Sequence, residues 1–327
     1  MAATADTSFT GQTIQHYQVK ERLKRRPASS LYLAQDTRTD QLVFIEILHT
    51  TITGNEALAG RFQRRMETIS QMKLPNIAPI LTVAYTSEKY PFAVIKHVPG
   101  TFLSDKLAQW QQTNSMPDAQ TALALIRHLV SALTAAHPVG IIHHDLRPDN
   151  IYMQANDIPI FLDLGVTISP LPFDETILEK TGTLDYAPPE QLRGQALTGR
   201  SNIFSLGIIL YELLGKRRPK LPISDWDIFD RRVLPKEIPL EEVRKDLAQE
   251  TYALVKNCLW QQEWNRYDTA QEMLAAIDGA LEAEKRWETA VAHHHHPVKN
   301  NKWRLIGLIA GGILLLILII LAIILLT

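Results

Sequence analysis

The residues best suited to chemistry lie in two short polar segments. The first is residues 142–150, which read IHHDLRPDN, and the second is residues 163–165, which read DLG and begin thirteen residues after Asn150. Carboxylate and amide oxygens of the kind found in both segments suit hard cations. Arg147 adds a permanent positive charge with a rigid, forked shape. Residues of these types can bind a cation or an anion, and the surrounding sequence has to decide which.

The elements that must position these segments change type near residue 100. From Tyr17 to about Ile95, short runs rich in β-branched residues, separated by turn residues, predict an antiparallel sheet. One helix is predicted inside this half, at about residues 57–72. We therefore predict a β-rich lobe at 17–95, preceded by a loose arm at residues 1–16.

After Gly100 the apolar residues recur at helical spacing. The clearest stripe consists of Ala122, Leu125, Ile126, Leu129, Val130 and Leu133. Further helices are predicted at about 203–214, 247–259 and 270–281. The order predicts a helical lobe at 101–281 and an α+β fold with two lobes.

The composition excludes several classes of protein. The chain has 327 residues, with 34 Lys and Arg against 35 Asp and Glu, and its net charge of −1 excludes a generally basic nucleic-acid binder. Its single cysteine, Cys258, excludes an internal disulfide and a cysteine-cluster metal site. The histidine tract at 293–296 is predicted to be a solvated tether rather than a metal site.

A long apolar segment lies near the end of the sequence. Residues 305–326 carry no charge and are rich in Leu and Ile. As a helix this segment would be about 33 Å long, which is enough to cross the hydrocarbon core of a membrane. We predict a single membrane-spanning helix, joined to the folded domain by a juxtamembrane linker at 282–304. Lys299, Lys302 and Arg304 precede it, which places the folded domain in the cytoplasm.

The two polar segments are followed by two more blocks at ordered distances. Residues 182–190 contain Gly-Thr and then Ala-Pro-Pro-Glu, and residues 205–214 read SLGIILYELL. Together the four blocks resemble the catalytic loop, metal-binding turn, substrate-loop anchor and following helix of bacterial serine/threonine protein kinases. The resemblance covers about residues 17–281. It implies a bilobal protein-kinase fold with a β-rich N-lobe and a helical C-lobe.

The resemblance also implies roles for four polar residues. Asp145 matches the aspartate that accepts the proton of the substrate hydroxyl, and Arg147 replaces the lysine that follows it. Asn150 and Asp163 match the two magnesium ligands of the family. If the chain is an active kinase, its cofactors are therefore Mg²⁺ and ATP.

The nucleotide side of the implied site departs from the family pattern. Lys24, Arg26 and Ser29 stand where the glycine-rich loop has its three glycines. Glu46 stands where the family has the lysine that binds phosphate, so a carboxylate replaces a cation there.

Two aromatic residues match positions on either side of the adenine. Phe44 replaces a small alanine, and Tyr152 replaces an aliphatic residue. Two rings facing one slot are expected to fill it, although a different stacking cage is an alternative.

Other departures concern charges that support the site. Arg65 stands where the family has a helix glutamate, so we predict that Glu46 and Arg65 form an ion pair of reversed orientation, with two independent losses as the alternative. His144 replaces the arginine that reads a phosphorylated activation loop. Asn202 replaces an aspartate that accepts hydrogen bonds from the catalytic-loop backbone, while Glu190 and Arg266 match a buried ion pair of the family.

The leading hypothesis is a membrane-tethered pseudokinase that signals by binding a cytoplasmic protein, with no nucleotide cofactor. The first alternative is an atypical active kinase that transfers the γ-phosphate of ATP to protein hydroxyls, with Lys24 reaching the phosphates. The second is an adaptor that binds no ligand. Gly307 and Gly311 form a small-xxx-small pair in the apolar segment, which favours a homodimer through that helix.

Overall fold

The computed structural model describes residues 8–26, 28–49, 56–72, 74–162, 184–219 and 239–294, without the side chains of 56–58 and 291–294. The chain divides into two units, residues 1–284 and 285–327. The first unit contains both predicted lobes. The predicted ligand Asp163, the linker beyond residue 294, the histidine side chains of 293–296 and the apolar segment 305–326 lie outside the described residues.

The N-lobe is a six-stranded sheet with one helix against it. Its strands, in the spatial order β1-β2-β3-β4-β6-β5, are β1 (Thr13–Ile14), β2 (Tyr17–Arg25), β3 (Ser29–Asp36), β4 (Leu42–Leu48), β5 (Ile80–Tyr85) and β6 (Pro91–Lys96). All neighbouring strands are antiparallel, as predicted. The helix α1 (Glu56–Gln71) packs on β5 and β6 and confirms the helix predicted at 57–72.

The loose arm predicted at residues 1–16 is wrong for residues 8–16. Strand β1 pairs with β2, and Phe9 and Ile14 are buried. Phe9 lies edge-on to Tyr32 with ring centroids 6.1 Å apart. The segment therefore covers apolar side chains on one face of the sheet, and that burial outweighs its polar composition.

The C-lobe is helical with a small sheet at its upper edge. The sheet consists of β7 (Gly100–Phe102), β8 (Ile151–Gln154) and β9 (Pro159–Phe161). The helices are α2 (Leu103–Gln112), α3 (Ala119–Ala136), α4 (Pro189–Leu192), α5 (Gly199–Gly215), α6 (Leu240–Val243), α7 (Gln249–Cys258) and α8 (Ala270–His294). Helix α8 continues thirteen residues beyond the predicted end at residue 281.

Two helices form the centre of the C-lobe. Asp118 caps the start of helix α3, since its carboxylate accepts a hydrogen bond from the backbone N–H of Thr121 at 2.7 Å. The whole stripe predicted on α3 is buried. The stretch Ala119–Val139 is long and apolar enough to cross a membrane, but half of its apolar window is buried inside the domain, as expected for a core helix. Helix α5 is buried from Ser201 to Leu214, which explains its apolar residues on all sides.

Candidate functional site

The hairpin between β2 and β3 directs two basic side chains towards the catalytic-loop segment. Strand β2 has two register shifts against β3, one of them between Arg22 and Lys24. Shifts of this kind kink a strand and redirect its side chains. The backbone N–H of Arg26 donates to the carbonyl of Ser29 at 2.8 Å, which closes the turn. Lys24 and Arg26 thus lie at the end of the hairpin nearest the C-lobe; Pro27 lies outside the described residues.

Arg26 is buried between the two lobes and bridges them. Its Nη1 lies 2.7 Å from Oε1 of Glu46, and its Nε donates to Oδ1 of Asn150 at 2.9 Å. Ser29 Oγ donates to the same Glu46 oxygen at 2.6 Å. The side chains of Arg26 and Glu46 are 1% and 0% exposed, so this is a fully buried ion pair.

The ion pair predicted between Glu46 and Arg65 is wrong. Glu46 lies in the middle of β4 and forms its ion pair with Arg26, whereas Arg65 on α1 donates a short hydrogen bond to the carbonyl oxygen of Ile142. The cause is the hairpin turn, which places the guanidinium of Arg26 within reach of Glu46. Arg65 instead ties α1 to the start of the catalytic-loop segment.

Lys24 forms a second contact between the lobes. Its Nζ lies 2.8 Å from Oδ1 of Asp149 and 3.4 Å from Oγ of Ser104, and it also lies over the ring of Phe102 at 4.6 Å. Burial alone would raise the pKa of the Asp149 carboxyl, but Lys24 and Arg147 outweigh burial and hold that pKa below its usual value. Lys24 is therefore engaged with a carboxylate of the chain itself. Sequence reasoning missed Asp149 as its partner.

Phe44 and Tyr152 meet, as predicted. Phe44 shares a face of β4 with Glu46, because side chains two residues apart in a strand point the same way. Its ring centroid lies 5.4 Å from that of Tyr152 in an edge-to-face arrangement, and both rings are buried. Tyr152 also packs edge-on against Phe102 at 5.2 Å. The rings of Phe44 and Tyr152 therefore pack against each other between β4 and β8.

The catalytic-loop segment itself is well ordered by internal hydrogen bonds. Oδ2 of Asp145 accepts from Nε of Arg147 at 3.2 Å and from Nδ2 of Asn150 at 2.9 Å. The backbone N–H of Asp145 donates to Nδ1 of His143 at 3.2 Å. Asp145, Arg147 and Asn150 are all buried. The structure thus brings together three of the four polar residues singled out in the sequence.

Residues from the C-lobe core support this segment. Oδ1 of Asn202 accepts from the backbone N–H of His143 at 3.0 Å, and its Nδ2 donates to the His143 carbonyl at 2.6 Å. An asparagine thus makes two backbone bonds where a carboxylate could only accept. Glu190 and Arg266 form the expected buried ion pair, with two N···O distances of 2.7 and 2.9 Å. Burial would raise the pKa of Glu190, but Arg266 outweighs it and lowers that pKa.

His144 lies half-buried beside these groups. Burial, followed by the nearby charge of Arg65, lowers the pKa of its imidazole to about 4. His144 is therefore neutral at pH 7. A neutral imidazole cannot attract a phosphate as the family's arginine does.

These contacts decide whether a magnesium ion fits the described residues. Oδ1 of Asn150, the oxygen that would bind the metal, faces the guanidinium of Arg26. A second cation there would be repelled at short range. Among the described residues, no group of three or more His, Cys, Asp or Glu side chains is arranged to hold a metal. In this arrangement Asn150 already accepts a hydrogen bond from a buried cation, and the other predicted magnesium ligand, Asp163, lies outside the described residues.

The comparison with known protein families decides the relationship. A family model described as "Protein kinase domain" matches residues 17–276. The chain belongs to the protein kinase family. Its kinase domain resembles "Serine/threonine-protein kinase PknB" of Mycobacterium leprae, with 29% identity over 256 residues that cover 76% of this chain and 40% of the relative. It resembles "Probable serine/threonine-protein kinase CPE1738" of Clostridium perfringens with 26% identity, over 76% of this chain and 36% of the relative.

The chain spans about two fifths of the length of these relatives. The kinase domain also shares its fold with solved structures. The Mycobacterium tuberculosis PknI kinase domain has 20% sequence identity and a TM-score of 0.63, over 85% of this chain and all of that one. The structure titled "PpkA-294 apo form" has 19% sequence identity and a TM-score of 0.63, and the match covers 84% of this chain and 100% of that one. The predicted bilobal kinase fold is thereby confirmed.

Proposed function

We propose that this kinase domain is a pseudokinase that acts by binding another protein. The observation that carries the proposal is the buried guanidinium of Arg26, which joins Glu46 to Asn150, two positions that match the phosphate-binding and metal-binding residues of the family. The rings of Phe44 and Tyr152 support it, because they are buried against each other at the two positions that flank the adenine in the family.

A cavity lies in the C-lobe beside the cleft between the lobes. A cavity of about 690 Å³ lies between α2, the end of the catalytic-loop segment and the end of α5. Its lining includes Ser104, Asp149, Tyr186 and Glu212. Burial raises the pKa of Glu212, although the hydrogen bond from Tyr186 at 2.7 Å opposes this. We propose this polar cavity as a place where a partner could contact the C-lobe.

An atypical active kinase is the second candidate. It is favoured by the catalytic-loop segment, where Asp145, Arg147 and Asn150 keep a connected and buried arrangement. For ATP to bind, Arg26 would have to leave Asn150 and Glu46. That change would separate a buried charge from its partner, which is costly.

Thermal unfolding with Mg²⁺ and ATP separates the two candidates. We expect the full-length chain in detergent to show no change in melting temperature with millimolar Mg-ATP and no transfer of radiolabelled phosphate to a generic protein substrate. A ligand at 100 times its dissociation constant would stabilise the fold by about 2.7 kcal/mol, which is a rise of a few degrees. The proposal fails if such a rise is abolished by Asp163→Ala and phosphate transfer is abolished by Asp145→Ala.

We also propose that residues 305–326 anchor the chain in a membrane as a single span, with the kinase domain in the cytoplasm. The support is the length and composition of the segment and the basic residues before it. Gly307 and Gly311 would allow two such helices to pack closely. Changing both to Ile is expected to weaken self-association in a membrane two-hybrid assay, whereas unchanged association would remove the proposed dimer.

A further inference from the structure

Two basic residues of the β2–β3 hairpin contact two consecutive residues of the C-lobe. Lys24 reaches Asp149, and Arg26 reaches Asn150, with donor–acceptor distances of 2.8 and 2.9 Å. The partners are separated by 125 and 124 residues along the chain. We call these four residues the hairpin clamp.

Arg26 is suited to a bridging role by the shape of its side chain. The guanidinium is planar and presents its N–H groups in fixed directions. Nε points to the C-lobe residue Asn150, while Nη1 points to Glu46 in the sheet of the N-lobe. One buried cation thereby connects oxygens of both lobes, as a metal ion between the lobes would.

We propose that the hairpin clamp holds the two lobes closed without any ligand, with Arg26 as the built-in cation of the cleft. The inference rests on the proposed function in one respect, since a cleft closed in this way would be the physical reason why the proposed pseudokinase does not bind nucleotide. Beyond that function, the clamp has a structural role, which is to fix the position of one lobe against the other. The lobes of this kinase domain are held in one arrangement by the chain itself, so the surface offered to a partner does not depend on nucleotide.

The two halves of the clamp differ in their exposure to solvent. The side chains of Lys24 and Asp149 are 22% and 34% exposed, whereas those of Arg26 and Glu46 are 1% and 0% exposed. Salt screens exposed charges far more than buried ones. The Lys24 contact should therefore weaken at high salt while the Arg26 contact persists.

Hydrogen exchange on the full-length chain in detergent tests the clamp. The informative peptides cover residues 17–36 of the hairpin and 142–154 of the C-lobe. Arg26→Met is expected to speed exchange in both peptides by roughly 10- to 100-fold, because a buried charge-assisted hydrogen bond between them is lost. Lys24→Met should speed it by up to about fivefold at low salt and have no effect at about 0.5 M salt.

A matched control lies on the same strand. Lys20 is exposed, and its Nζ donates to Oε1 of Gln18 at 2.7 Å. Lys20→Met should leave exchange in both peptides unchanged. If Arg26→Met fails to fold, Arg26→Met with Glu46→Leu removes both buried charges together and should show the same faster exchange at 142–154.

The result that overturns the clamp is faster exchange in the hairpin alone. Unchanged exchange at 142–154 in the Arg26 variants would show that the hairpin does not hold the C-lobe. This outcome is distinct from a failure of the proposed function, which would appear as stabilisation of the unaltered chain by Mg-ATP. Each result can occur without the other.

Discussion

The coupling between Arg26 and Glu46 can be measured with a double-mutant cycle. Arg26→Met removes the guanidinium that lies 2.7 Å from a carboxylate with no solvent exposure. Breaking a buried pair in this way costs about 3–5 kcal/mol of stability, because a charge stays buried. Removing both charges with Arg26→Met and Glu46→Leu should cost much less than the sum of the single changes. We expect a coupling energy of at least about 2 kcal/mol.

The Lys24–Asp149 pair is the matched comparison for this cycle. Its N···O distance of 2.8 Å is almost the same as the 2.7 Å of the Arg26–Glu46 pair, but both of its side chains are partly exposed. Pairs of this kind contribute about 1 kcal/mol or less. Burial, rather than distance, should therefore decide the difference between the two coupling energies.

Urea unfolding of the full-length chain in mild detergent, followed by tryptophan fluorescence, supplies the free energies. A coupling energy near zero for Arg26–Glu46, or one no larger than that of Lys24–Asp149, would refute the reasoning from burial. Glu46 and Arg65 provide the negative control. We expect no rescue when Glu46→Lys is combined with Arg65→Glu, because the ion pair of Glu46 is with Arg26.

Two further predictions concern neighbouring residues. Phe44→Ala should lower the free energy of unfolding by about 3–5 kcal/mol, because it removes a buried ring packed on Tyr152, and the melting temperature would report it. A loss below about 1 kcal/mol would show that the site collapses around the change. The pKa of His144 falls from an ordinary 6.5 to about 4 on folding, so its contribution to stability is present above pH 6.5 and lost as the pH falls towards 4. When the pH falls from 7 to 5, the free energy of unfolding of the unaltered chain should fall by roughly 2 kcal/mol more than that of the His144→Asn variant. Equal falls for the two proteins would contradict this.

Most of the fold could be predicted because its signals are local. The short β-branched run of strands such as β4 and the stripe on α3 are properties of neighbouring residues. The burial of Phe9 could not be predicted in this way, since it depends on Tyr32, which is 23 residues away. The end of α8 was also missed, because residues after 281 lack a clear apolar stripe and the tract after them reads as a tether.

The site could be predicted in position but not in its connections. Family positions located Glu46, Phe44 and Tyr152, and the structure brings the two rings together. They also pointed to Arg65 as the partner of Glu46, because the family pairs these two positions. In the structure the ion-pair partner of Glu46 is Arg26. The position of Arg26 depends on the register shifts in β2 and on the turn at Ser29. Backbone irregularities of this kind leave no periodic signal in the sequence.

The charges around the cleft support the proposed closure. The described residues that line it include three cations and three carboxylates, namely Lys24, Arg26, Arg147, Glu46, Asp145 and Asp149. Each cation lies within 3.2 Å of one of these carboxylate oxygens, so the group is balanced internally. A phosphate that bound to Arg26 would take it from Glu46 and leave a buried carboxylate behind. If that step costs about 3–5 kcal/mol, it lowers affinity by roughly two to four orders of magnitude before any steric conflict is counted.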